Sequence, residues 1–488
     1  MDAETPTSYQ SVPEKALPLA FSSRVIVAIT IVVVLISIYL SRESVLGNRN
    51  ANAMYPTYSL GRVVDRDLEL DAALAKAPEW ERFLQKIFLG PSFSWKDDAI
   101  EAYRDLLEYY QSQPASTDPG AVATARAYLV VLLAEVDRSD EAQAELRLLA
   151  GLSEGEGIAA VLRFAYGTND LKPTPSETEA IYRLPERGWT VDKLRMRLAA
   201  KAGDLQLVRE IEAELINRGQ RWKQWALLFT VLNIVLLVSG LAGLVVALAM
   251  RRKSNLSLTS SRSTPWPWQL GFGVFMWSVF SRQVLILTGG FLESYGIDMP
   301  YQLLNVVALL FLVALIHRYL LASSLTFSGA FGLDILPRCR LLVIGLSLIL
   351  FEVELVGSNL ISAAMWQLGF RAHWTEGIDE DLFWGDWLSV ALTTFDYVVW
   401  APLFEEIAFR GVLYTSLRSL LGPVVACLIA AGMYSGWHFY SLDGFMVLMW
   451  SGVVWTVAYE RFGSLWPTIL SHALINLIVV GGFLVFYR

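Results

Sequence analysis

The sequence predicts an all-α protein, a polytopic transmembrane helix bundle of about nine spans with an inserted α-helical extracytoplasmic domain. Three observations predict it. Of 488 residues, 54% are hydrophobic and only 18% charged, which is too apolar for a water-soluble chain of this length. Apolar stretches of spanning length recur along the sequence, because lipid satisfies no backbone polar group and a helix satisfies its own. Between the first and second of these stretches lies a charged segment with helical periodicity and no alternating strand pattern of comparable length.

In order, residues 1–24 form an N-terminal tail and 25–40 the first span. Residues 41–224 form the inserted domain, and the following spans run 225–250, 268–292, 301–321 and 341–364. A last group, 387–417, 423–439, 444–459 and 465–486, makes up a distinct core between 387 and 486. The first stretch also reads as a signal peptide, with Ala51, Asn52 and Ala53 as a small-x-small cleavage site. Cleavage there would leave the inserted domain on the same side.

Basic residues near span ends orient a membrane protein. Alternating loops collect Arg251, Arg252, Lys253 and Arg262, then Arg318, Arg338 and Arg340, then Arg418, then Arg461. The opposite loops hold Glu293, Asp298, Glu376, Asp379, Glu380, Asp381, Asp386 and Asp443, with Arg371 as their one arginine. This pattern places the N-terminus in the cytoplasm and 41–224 outside a plasma membrane, of the bacterial inner-membrane type. Arg218, Arg221 and Lys223 run against it locally, which long translocated domains tolerate.

Within the insert, Ile100, Tyr103, Leu106, Leu107 and Tyr110 recur at helical spacing with acids between them, an amphipathic helix with one buried stripe. Residues 121–137 and 140–150 read as a helical hairpin, and 205–215 continues the pattern. The insert faintly resembles tetratricopeptide-type repeats, without a clean self-similarity at about 34 residues. It is either a packed bundle tying two spans together or a domain that presents substrate or binds a protein partner. The net charge of -8 argues against nucleic acid. Cys339 and Cys427 are the only cysteines, so neither a disulfide framework nor a thiol-based zinc site is expected.

Ionisable residues inside spans are costly, so each asks for a partner or a role. The helix through Glu405, Glu406 and Arg410 places two acids and a base in an apolar run. Neighbours i and i+4 share a face while i and i+1 diverge, so Glu406 faces Arg410 as a structural pair and Glu405 is left free. Two of the chain's four histidines, His438 and His472, lie downstream in apolar stretches. Tyr434 and His438 share a face at i, i+4, and so do His472 and Asn476. His472 with Asn476 offers two donors toward a developing oxyanion, and Glu405 with His438 a pair able to move a proton from water to a leaving amine.

These residues resemble the CAAX protease and bacteriocin-processing family, also called Abi, of intramembrane glutamic endopeptidases. The resemblance rests on the Glu405-Glu406-x-x-x-Arg410 helix, on Tyr434 four residues before His438 where Phe is more usual, and on His472 four residues before Asn476, preceded by Gly463-Ser464-Leu465-Trp466-Pro467. It covers about 100 residues and implies metal-independent hydrolysis of a membrane-embedded or lipid-anchored peptide. Glu405 and His438 would activate water, and His472 and Asn476 would form the oxyanion hole. Glu406, Arg410 and Tyr434 would shape the site, and no cofactor would be needed.

Two other readings compete. A non-proteolytic scaffold or regulator would use the same fold to bind partners through the insert. A zinc peptidase would use two histidines and a glutamate as ligands, although no His-Glu-x-x-His helix is present. Singly, each histidine also fits a buried hydrogen-bonded role, and Asn476 an interhelical hydrogen bond. Arg282 is expected to pair with Glu352 or Glu354, and Asp396 to line the cavity around Glu405. Counting 1.5 Å per residue puts Glu405 near mid-membrane, His438 toward the outer end and His472 in the cytoplasmic half. Convergence therefore requires either a broken helix, near Pro402 or at Gly432 and Gly436, or span boundaries that differ from these by a turn or two.

Overall fold

The computed structural model describes residues 18–46, 55–88, 95–112, 118–167, 187–254, 265–293, 295–297, 299–321, 325–334, 340–372, 376 and 379–488. The tail before residue 18, the Ala51–Ala53 motif, Cys339, and the loop charges Arg262, Asp298 and Arg338 lie outside the described residues. Among the described residues every regular element is a helix. Two compact units emerge, one from 1–42, 232–372 and 384–481, the other from 43–231, 373–383 and 482–488.

Helix α1 (Ser23–Leu46) is followed by the helices of the inserted unit: α2 (Tyr55–Leu74), α3 (Glu79–Phe88), α4 (Trp95–Ser112), α5 (Pro119–Glu135), α6 (Ser139–Ala150), α7 (Glu156–Tyr166) and α8 (Trp189–Ala202). α5 starts where Asp118 accepts from the Gly120 N–H and Pro119 occupies the first turn, the arrangement expected of an N-cap and N1 pair. Its residues are buried around the whole circumference, from Ala121 to Leu133, so it is the central post of the insert. The α4 stripe packs on it, with Tyr103 and Leu106 fully buried and the Tyr103 ring edge-on to Tyr128 at 5.8 Å. A three-residue turn separates α5 from α6, which forms the expected hairpin.

A polar network is buried beside this core. Asp65 accepts from both the N–H and Oγ1 of Thr190 at 2.8 Å. Glu69 accepts from Arg218 at 2.7 Å and from Trp222 Nε1 at 2.8 Å, and Arg218 also donates to Asp192. Arg218, which runs against the charge asymmetry of the loops, is thus held by two carboxylates within the insert. A Cβ on Gly188 would collide with the Asp65 carboxylate, which explains a glycine at this otherwise extended position.

α9 (Leu205–Ser254) is one helix of 50 residues. The amphipathic segment 205–215 and the apolar stretch from 225, which read separately in the sequence, are therefore continuous, because no proline intervenes to break the backbone hydrogen bonds. Further along are α10 (Trp268–Glu293), α11 (Tyr301–Leu315, extended by a wide turn to Leu320), the short α12 (Phe327–Phe331), α13 (Arg340–Gln367) and the short α14 (Glu380–Trp384). α15 (Trp387–Leu421), α16 (Pro423–Gly436), α17 (Leu442–Phe462) and α18 (Trp466–Phe486) complete the chain. Among the described residues seven helices are long and apolar enough to cross a membrane, and the apolar helix Pro423–Gly436 is shorter. The chain is a multi-pass membrane protein.

Small residues allow close helix approaches in the membrane unit. The Cβ position of Gly243 on α9 lies 3.1 Å from Gly345 Cα on α13, and that of Gly452 on α17 lies 2.8 Å from Ala431 Cβ on α16. Without a hydrophobic drive between helices in lipid, such contacts hold a bundle by van der Waals packing.

Burial pushes the Asp65 carboxyl up to about 7 against the pull of its Thr190 donors. An unfolded aspartate titrates at about 3.9, so between about pH 4 and 7 the folded chain keeps a proton that the unfolded chain has lost. Stability from this group is therefore complete below that window and falls as pH rises through it. Asp65→Asn, which keeps an acceptor for Thr190 and does not titrate, should flatten the decline in thermal midpoint from pH 4 to 8. Identical slopes in the two proteins would refute this assignment.

Candidate active site

The site is built on α15, α16 and α18, with α17 behind them. α15 is not a regular α-helix throughout. Asp396–Trp400 and Glu406–Tyr414 form wide π turns on either side of Ala401–Glu405. Pro402 lacks an N–H and crowds the preceding turn, so the turn ahead of it widens. The break anticipated near Pro402 takes this form, and both neighbouring glutamates end up inside the bundle: Glu405 is 8% and Glu406 0% exposed.

Glu406 is the better satisfied of the two. Its Oε1 accepts from Arg410 Nη1 at 3.0 Å, the pair expected from i, i+4 spacing. The same oxygen lies 3.2 Å from His472 Nδ1. Arg410 is sandwiched, with its Cζ 4.3 Å from the Tyr434 ring centre and 5.1 Å from that of Trp455. Trp455 in turn stacks on His472 at 4.2 Å and 18° and donates Nε1 to Ser471 at 3.3 Å.

Glu405 receives both histidines. His438 Nε2 lies 4.0 Å from its Oε1 and His472 Nε2 lies 3.7 Å from its Oε2. These separations exceed a direct hydrogen bond, and Glu405 Oε2 is buried with no hydrogen-bond partner. The tautomers follow from the far nitrogens. His438 Nδ1 is 3.0 Å from the Tyr434 carbonyl oxygen, which only accepts, so Nδ1 carries the hydrogen. His472 Nδ1 faces the Glu406 carboxylate and carries one likewise. Each ring therefore turns Nε2 toward Glu405.

His438 reaches this point because α16 ends at Gly436, two residues before it. Phe439 then takes a left-handed φ of 56°, uncommon for a bulky side chain and a feature of tight functional turns. The conflict in depth between His438 and His472 thus disappears: wide turns in α15 and an early end to α16 replace the regular helices assumed in counting residues. Asn476 sits one turn beyond His472 but is not paired with it. Its Nδ2 donates to the Tyr397 carbonyl at 2.7 Å, inside the first wide turn of α15.

Arg282 does not pair with Glu352 or Glu354. Its Nε donates to Asn305 Oδ1 at 3.2 Å, and Asn305 Nδ2 donates to Asp396 Oδ2 at 2.8 Å. Glu354 is served by Ser451 at 2.6 Å and Ser358 at 3.1 Å, small hydroxyls that fit where a guanidinium does not. Trp455, Asn305 and Trp437 are contributors that sequence reasoning missed. Only Arg282 carried a signal, as a charge inside a span.

Residues 386–478 match the family described as Type II CAAX prenyl endopeptidase Rce1-like. The matched segment runs from the residue that caps α15 to the turn after Asn476, and so contains Glu405, Glu406, Arg410, Tyr434, His438, His472 and Asn476. It is similar to a CAAX-type membrane endopeptidase. No curated protein and no solved structure matches the chain.

Replacing Arg410 by Met should strand Glu406 as a buried charge and cost about 3–5 kcal/mol, seen as a lowered unfolding temperature in detergent. Adding Glu406→Gln should recover part of that loss. A double variant no more stable than Arg410→Met would show that the pair does not carry the effect.

Proposed function

We propose that this chain is an intramembrane glutamic endopeptidase that hydrolyses a membrane-associated, prenylated or otherwise lipidated peptide. The carrying observation is the convergence of His438 Nε2 and His472 Nε2 on the two oxygens of Glu405. The matched family supplies the reaction class and the prenylated substrate.

In this reading a water sits between Glu405 and His438. Glu405 takes its proton as the oxygen attacks the scissile carbonyl carbon, and the carbonyl oxygen becomes an oxyanion. Donors for it are His472 Nε2, when the ring carries a second proton, and the second N–H of the Asn476 amide, whose first is held by Tyr397. Collapse of the intermediate breaks the C–N bond. His438 relays the proton to the departing nitrogen, leaving one new carboxylate and one new amine. Glu406 and Arg410 neutralise each other and fix the His472 ring, with Trp455 pressed against its face. No metal takes part in these steps.

The distribution of basic loops supports a cytoplasmic N-terminus in a plasma membrane, with 41–224 on the opposite side. There the helical insert would present substrate or bind a protein partner.

Glu405→Gln should lower cleavage of an S-prenylated CAAX-type peptide in proteoliposomes by about 10²–10⁴-fold at unchanged thermal stability, and wild-type activity should survive a chelator. Activity lost in chelator and restored by zinc would move the mechanism to a metal peptidase. Full cleavage by the Glu405→Gln protein would sink the proposal. Equal cellular phenotypes for the two proteins would favour the scaffold reading.

A further inference from the structure

Arg282 is a cation inside a span whose arrangement the mechanism above leaves unused. It comes from α10, outside the matched segment. Its Cζ lies 4.9 Å from the Trp437 ring centre, next to His438, and 6.0 Å from that of Phe404, next to Glu405. Its charge acts on Glu405, on Asp396 and on His438. Nε is taken by Asn305. The two Nη groups take no hydrogen-bond partner among the described residues, and neither is a buried orphan, since the side chain is partly exposed.

A guanidinium placed only to neutralise Asp396 would close its fork on that carboxylate. Here Asn305 stands between them, bonding Nε on one side and Asp396 on the other. One edge of the guanidinium is thus fixed, an aromatic ring lies against it, and the two Nη groups are left without a protein partner near Phe404 and Trp437, the neighbours of Glu405 and His438. A planar pair of N–H groups held in one orientation matches the two oxygens of a carboxylate. The charge balance of hydrolysis points the same way. When Glu405 accepts the water's proton it loses its negative charge, and a carboxylate on the substrate then compensates Arg282 at the stage where compensation favours the transition state.

We propose that Arg282 is a specificity residue that binds a carboxylate of the peptide substrate close to the scissile bond. The inference rests on the endopeptidase reading and deepens it. Two parts of a peptide supply this chemistry, the C-terminal α-carboxylate of a short leaving segment and an acidic side chain.

The test uses three S-prenylated peptides of one sequence: a C-terminal free acid, the C-terminal amide, and the amide with an aspartate introduced after the scissile bond. Each is presented in proteoliposomes to wild type, Arg282→Gln and Arg282→Lys. Wild type should prefer the free acid over the amide by about tenfold or more in kcat/KM. Arg282→Gln should bring that ratio near one, and Arg282→Lys should keep part of it. The ratio is taken within one preparation, so loss of folded protein cancels. Recovery by the aspartate peptide, dependent on Arg282, would identify a side chain as the source, and preference for the free acid alone would identify the C-terminus.

The same acid and amide pair is titrated onto Glu405→Gln protein, so the preference is also read as binding whether or not cleavage occurs. A wild-type protein indifferent to the carboxylate in both measurements, or an Arg282→Gln protein that keeps the wild-type ratio, would overturn the proposal. Cleavage that ignores Glu405 defeats the endopeptidase reading instead, while the binding ratio still decides the role of Arg282.

Discussion

Two adjacent carboxylates inside a membrane helix are the constraint on which the site depends. A charge at the centre of a span costs about 2.5–3.5 kcal/mol on insertion scales, and the chain gives a direct ion pair to only one of the two. Glu406 receives Arg410 and His472 on a single oxygen. That arrangement occupies the arginine, which the Tyr434 and Trp455 rings hold from either side. It also fixes the imidazole, because the nitrogen facing Glu406 settles where the other nitrogen points. Glu405 is left buried and unbonded, facing two imidazole nitrogens too distant for direct hydrogen bonds. A carboxylate kept in that condition is available to a water or a substrate.

Shared compensation recurs at other buried polar groups. In the insert, Arg218 serves both Glu69 and Asp192, joining α2, α8 and α9 through one cation. Along α13 and α17 the compensation comes from hydroxyls: Ser451 and Ser358 on Glu354, and Ser362 on Asp443 at 3.1 Å. Hydroxyls demand less room than guanidinium groups, which suits helices brought together by glycine and alanine. Polar groups hold these elements in register, while the surrounding apolar contacts supply the packing. Arg282 departs from the pattern, since one edge of its guanidinium is fixed by an amide and the other is open.

The wide turns of α15 connect the chain's local chemistry to this arrangement. Such turns cluster at functional positions because they change where side chains point without ending the helix. Pro402 supplies a local reason for the first of them, and Asn476 closes on the Tyr397 carbonyl within it. One residue of the oxyanion pair implied by the family resemblance is therefore also a structural support for the helix that carries Glu405. A substitution at Asn476 would act on both functions, so its effect on rate alone would not separate them.

Sequence by itself determined whatever depends on neighbours along one helix. The apolar stretches, the buried stripe from Ile100 to Tyr110, the hairpin of α5 and α6, and the Glu406–Arg410 pair all follow from periods of three and four residues. The motif residues and the family they resemble were legible for the same reason. Tertiary structure decided what depends on relations between helices. How His438 and His472 reach one carboxylate, the Asn305 contact of Arg282, the stacking of Trp455 and the continuity of α9 were beyond the sequence. Residue counting assumes straight, regular helices of known ends, whereas here wide turns, an early helix end and close glycine contacts set the depth and direction of each side chain.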